Sequence, residues 1–110
     1  MGIANLIFSA ICWLCALLIA GIALWAFKRS DPMHFWAGST VAPDEIADIP
    51  AYNRANGIMW SAYSCGVAAV GVVGLFRIIA ATIALGVVCV PGLAALVAAY
   101  RWIYRKYRRA

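Results

Sequence analysis

Residues 55–100 read ANGIMWSAYSCGVAAVGVVGLFRIIAATIALGVVCVPGLAALVAAY, and one charge, Arg77, interrupts them. At about 1.5 Å per residue a single helix through this stretch would run about 70 Å, more than twice the roughly 30 Å hydrocarbon core of a bilayer. It would also hold Arg77 at mid-membrane, where a guanidinium costs about 2.5–3.5 kcal/mol or more. A tight hairpin in Gly74-Leu75-Phe76-Arg77 brings that charge to an interface, and Gly71 and Gly74 suit a helix end there. The stretch therefore divides into two spans, about 55–76 and 78–100. Pro91-Gly92 should kink the later one, because proline removes a backbone hydrogen bond.

A third uncharged run, about 3–27, ends at Lys28-Arg29. A signal peptide would start basic and end in a small-residue cleavage site. No basic residue precedes Lys28, and Leu24-Trp25-Ala26-Phe27 is a poor cleavage sequence, so this run reads as a retained span. The totals agree. Of the 110 residues 66% are hydrophobic and only 12% charged. A soluble domain carries about 25% charged residues, and a chain this small could not bury so much apolar surface within itself. The expected fold is all-α: one integral membrane domain of residues 1–110 with three transmembrane helices.

Lysine and arginine set the orientation. Of the 9 basic residues, Lys28, Arg29 and Arg54 flank a central loop, 28–54, and Arg101, Arg105, Lys106, Arg108 and Arg109 form the tail, 101–110. Three crossings put loop and tail on one side, with Arg77 alone opposite. The expectation is a multi-pass protein of the plasma membrane, its N-terminus outside and its C-terminus cytoplasmic. Trp25, Trp60, Tyr100, Trp102, Tyr104 and Tyr107 fall near the expected interfaces, where aromatic rings with a polar edge prefer to sit. The basic, aromatic tail reads as a helix end anchored at headgroups and in contact with anionic lipid, rather than with nucleic acid.

The loop holds all 4 acidic residues, Asp31, Asp44, Glu45 and Asp48, and the 1 histidine, His34. Pro43-Asp44-Glu45 has the form of a short helix start, with proline in the first turn and acids at the positive end. Asp48-Ile49-Pro50 has the form of a second: Asp48 caps, and a helix runs from about Pro50 into the second span. Asn53, Asn56, Trp60 and Tyr63 then share one face of that helix, bordered by Tyr52. This stripe has two readings. Its polar groups bond to other helices or to the loop and fix the bundle, or they line a small pocket for a ligand or peptide. His34 beside Phe35-Trp36 reads as interfacial. Residues 33–40 read as a segment along the membrane surface, with a turn at Gly38-Ser39-Thr40.

These residues carry a resemblance. His34-Phe35-Trp36-x-Gly38-x-x-Val41 and Ala51-Tyr52-Asn53-x-x-Asn56-Gly57-x-Met59-Trp60 resemble a family of small bacterial three-span membrane proteins that has no assigned activity. That likeness covers nearly the whole chain. Gly38-Ser39-Thr40, Glu45 and Asn53-Arg54-Ala55-Asn56-Gly57 resemble, over about twenty residues, the signature of the sporulation-delay toxin immunity family. Ser39 stands where that signature has a basic residue. The resemblance implies a binding or immunity-type role, with Glu45 among the contact residues.

Other chemistry is missing from the sequence. There is no phosphate-binding glycine loop, and one histidine with intramembrane cysteines makes no metal site. No acid lies within a span, which argues against a proton-coupled transporter. Cys12-Trp13-Leu14-Cys15 lies in apolar surroundings with no cation to lower a thiol pKa, so it reads as packing. No nucleophile, base and stabiliser stand together, so no enzyme and no cofactor is expected. Small residues recur four apart at Ser61, Cys65 and Ala69, at Ala80 and Ala84, and at Ala95 and Ala99. Such faces let helices approach closely, within one chain or between copies. The expected function is a non-enzymatic protein that binds another membrane protein, a peptide or anionic lipid through its loop. The alternative is a homo-oligomeric transporter or channel component.

Overall fold

The computed structural model describes residues 2–33 and 41–108. Expectations for His34, Phe35, Trp36, the turn at 38–40 and Arg109 lie outside the described residues. Four α-helices follow in order: α1 (Ile3–Lys28), α2 (Ile49–Phe76), α3 (Ile78–Cys89) and α4 (Pro91–Tyr107). One turn of 3-10 helix, Pro43–Glu45, stands in the loop. Helices α3 and α4 act as one rod, so three helical units, Ile3–Lys28, Ile49–Phe76 and Ile78–Tyr107, are long and apolar enough to cross a membrane. The bundle is elongated, 53 × 24 × 21 Å. Ile7, Leu14 and Leu17 on α1, and Ile79, Ile83 and Val87 on α3, stand exposed. Lipid tails solvate such side chains without cost. This is the architecture of a multi-pass membrane protein.

Helices α1 and α2 pack antiparallel along a regular seam. Ser9, Cys12, Ala16, Ala23 and Ala26 are buried on α1, with Ile19 half-buried between them. On α2 the matching set is Asn53, Gly57, Trp60, Ser64, Val67, Gly71 and Gly74. Both sets advance by alternating steps of three and four. That seven-residue period keeps one stripe of each helix against the other along its length. Small residues let the backbones close in. A Cβ on Gly71 would lie 2.5 Å from Trp13 Nε1, one on Gly74 2.5 Å from Phe8 Cδ1, and one on Gly57 2.8 Å from the Phe27 ring.

The turn falls within Gly74-Leu75-Phe76-Arg77 as expected, but the two glycines serve the packing rather than the helix end. The helix runs through both to Phe76, because each is needed as a space for an α1 ring. Arg77 alone makes the turn, at φ −141° and ψ 85°. Its N–H donates to Val73 O (2.8 Å), closing α2, and its own carbonyl accepts from Ala81 N–H (2.9 Å), opening α3.

The third rod lies on another side of α2. Its bend is at Val90, before Pro91. Hydrogen bonds flank the bend, from Val90 N–H to Gly86 O (3.0 Å) and from Ala94 N–H to Val90 O (3.2 Å), so the rod bends without parting. Tyr63 Oη donates to Val88 O (2.9 Å) beside the proline, a carbonyl satisfied from the neighbouring helix. The helix continues past residue 100 to Tyr107, so most of the basic tail is α4. The small-residue faces are also redistributed. Cys65, Ala69, Ala80 and Ala95 are exposed, while Ser64 and Ala81, one residue away from two of them, are buried.

Candidate functional site at the loop end

Tyr52, Asn53 and Asn56, singled out in the sequence, gather where α1 ends, α2 begins and α4 finishes, whereas Tyr63 reaches the bend between α3 and α4. The local sequence explains the start of α2. Asp48 is its N-cap, and its Oδ1 accepts from Ala51 N–H at 3.2 Å. Pro50 sits in the first turn, where its missing N–H leaves nothing unsatisfied. One turn on, Tyr52 and Asn53 are 0% and 2% exposed.

Asn53 grips the chain that leaves α1. Its Oδ1 accepts from Met33 N–H (2.8 Å), and its Nδ2 donates to Asp31 O (2.8 Å) and Arg29 O (3.1 Å). One side-chain amide thereby satisfies three backbone groups that no helix could serve, since the chain has left α1. Tyr52 adds a second tie. Its hydroxyl donates to Met33 O at 2.9 Å and lies 2.9 Å from Tyr100 Oη on α4. The rings of Tyr52 and Tyr100 meet edge to face with centroids 6.4 Å apart, and Tyr100 stacks on Tyr104. Residue pair 52–53 thus joins the loop to α2 and α4 at one point.

Asn56 differs from Asn53 although both belong to the expected stripe. It is fully buried, and its Nδ2 donates to Tyr52 O one turn back, at 2.9 Å. Its Oδ1 is a buried acceptor without a donor among the described residues. Trp60 is buried in the bundle and meets Tyr63 edge to face at 6.5 Å. Its ring faces the bundle interior, in the cluster that holds Ala23, Ala26 and Leu96. Tyr104 and Tyr107 are likewise half-buried against the core around Ile46 and Ile103, whereas Trp102 is exposed.

The far side of the loop is pinned as well. Ile46 is buried and pairs with Arg108 in an isolated antiparallel bridge, and Ala47 N–H donates to Tyr107 O at 2.8 Å. No sequence feature marked this tie between loop and tail, since it is made by backbone atoms. Asp44, Glu45 and Asp48 remain exposed on the outer face of the loop, and Arg101, Arg105, Lys106 and Arg108 are exposed on the adjoining tail. Lys106 lies over the Trp102 ring at 5.0 Å, which holds one of these charges beside an exposed aromatic. Among the described residues no group of His, Cys, Asp and Glu is placed to hold a metal ion. Cys12 is buried on the seam and Cys15 is exposed away from it, both as free thiols.

The site is therefore a clamped loop with a charged outer face. No protein-family model matches this chain, and no curated protein and no solved structure matches it.

Proposed function

We propose that this is a non-enzymatic protein of the plasma membrane that acts by contact, in a binding, accessory or immunity-type role. Its loop and tail face the cytoplasm, as the excess of basic residues at that end favours. The observation that carries the reading is the grip of Asn53 and Tyr52 on Arg29, Asp31 and Met33. A tether between two spans needs no such fastening. A surface that must keep one shape for a partner does, because ordering it in advance lowers the cost of binding. The contact face is then the outer side of the loop, Asp44, Glu45 and Asp48, beside the exposed basic side chains of α4. Tyr52 and Asn53 build that face from beneath, with Asn56 and Trp60 packed below them.

A photo-crosslinking residue placed at Asp44 in living cells tests this. A discrete adduct with one membrane protein or peptide is the expected result. Glu45→Arg in the same chain should remove the adduct while the protein still inserts. An adduct pattern no different from that of a crosslinker at lipid-facing Ile83 would refute the proposal.

A further inference from the structure

A cleft of about 860 Å³ opens between the end of α1 and the start of α2, and of Asp44, Glu45 and Asp48 only Asp48 lines it. We propose that it is a binding site for the headgroup phosphate of an anionic phospholipid, with Arg29 and Arg54 as the phosphate ligands.

The lining is divided in a way that suits such a molecule. Arg29, Ser30 and Arg54 supply donors at one end, and Phe27, Ala55 and Ile58 form an apolar wall. Ala51, Arg54, Ala55 and Ile58 lie at intervals of three and four on one face of α2, so the polar end grades into the apolar one along the helix. Ile58 is 57% exposed and Phe27 45% exposed, which leaves an apolar track for the base of an acyl chain. A soluble anion would use the arginines and gain nothing from that track.

Arg29 is oriented in advance. Its Nε donates to Pro32 O at 3.2 Å, and its guanidinium lies 4.5 Å from the centre of the Trp25 ring. Those contacts fix the plane of the group, and among the described residues its terminal nitrogens remain for a paired hydrogen bond to phosphate oxygens. Arg54 is exposed at the same cleft. The carboxylate at the cleft, Asp48, caps α2 through Ala51 N–H, so its charge is set against the positive end of that helix. Two guanidinium groups thus face one carboxylate that is already engaged.

The intact protein, released from membranes in mild detergent, is offered phosphatidylglycerol or phosphatidylcholine, and retained lipid is counted by native mass spectrometry. Preferential retention of one phosphatidylglycerol is expected. Arg54→Glu, a change at an exposed position, should weaken that retention more than about tenfold, since it removes a charge-assisted hydrogen bond and sets a carboxylate against the phosphate. Arg29→Gln with Arg54→Gln should abolish the preference. Arg77→Gln, an exposed cation at the opposite end of the bundle, should leave it unchanged. Wild-type retention by Arg54→Glu would overturn the proposal, and so would loss of the preference on Arg105→Gln with Lys106→Gln alone, which would place the lipid on the tail. Displacement of the lipid by millimolar glycerol phosphate would overturn it in favour of a soluble phosphate ligand. The loop contact surface can fail its own test without affecting this one.

Discussion

Helix α2 has two neighbours and meets them by different means. Toward α1 it presents a stripe of Gly, Ser, Asn, Val and one Trp, and the two backbones are tied by side chains from both partners. Ser9 Oγ donates to Gly71 O (2.6 Å), Ser64 Oγ to Ala16 O (2.7 Å) and Trp13 Nε1 to Ala68 O (3.3 Å). Toward the third rod it offers Val67 and Val70 against Ala81, Ala84 and Leu85, with Tyr63 and Tyr52 as the hydroxyl ties near the bend and the loop. The first contact is specified along its whole length by shape and hydrogen bonds. The second is specified at two points and is otherwise apolar against apolar. Hydrophobicity cannot drive either association inside a bilayer, so close packing and polar ties must. The α1–α2 pair is the more closely specified half of the molecule, and the third rod is docked onto it.

The sharpest way to test that difference is at Asn53. Asn53→Ala removes three hydrogen bonds and leaves the buried Met33 N–H without a partner. A loss of about 3 kcal/mol is expected, from a buried donor left unsatisfied and the remaining bonds lost. Amide exchange in residues 29–33 should accelerate with it. Asn56→Ala, one turn away on the same stripe, should cost less than about 1 kcal/mol, because it deletes one bond together with an unsatisfied acceptor. Equal losses at the two positions would show that the amide network is not what holds the loop.

The next effect is at the seam. Gly71→Ala forces a methyl against Trp13 and within 3.2 Å of Cys12 Cβ. Overpacking of this kind costs about 1–3 kcal/mol, and should lower the unfolding midpoint in detergent. The smallest effect belongs to the face that the sequence marked and the fold leaves open. Ala69→Leu points into lipid and should change stability by less than about 0.5 kcal/mol. A large loss there, with Gly71→Ala silent, would mean that a second copy of the chain covers that face.

Span number and the loop's local chemistry were legible because both rest on strong local signals. Arg77 divides an apolar stretch too long for one crossing, and Asp48 with Pro50 announces a helix start. The choice of packing face was not legible from hydropathy. A helix in lipid is apolar on every side, so Ser61, Cys65 and Ala69 look as suitable for packing as Gly57, Ser64 and Gly71. The signal that separates them is the seven-residue recurrence shared by two helices: Ser9, Ala16 and Ala23 on α1 answer Gly57, Ser64 and Gly71 on α2. The Asn53 grip was legible as a polar residue needing partners. Its partners were not, because backbone carbonyls and amides carry no sequence mark. The same holds for the bridge between Ile46 and Arg108.

The turn at Arg77 bears on how the chain is made. A single residue joins α2 to α3, so neither helix can sit in the bilayer while the other waits in water at its far end. The two must enter as a pair, folded at Arg77, and in the proposed orientation, with loop and tail cytoplasmic, the guanidinium is carried across with them. That passage sets an energetic threshold of about 2.5–3.5 kcal/mol for the charge, which the apolar length of both helices opposes. In that orientation two insertion events are expected, α1 alone and then a helical hairpin, with the loop between them fastened last.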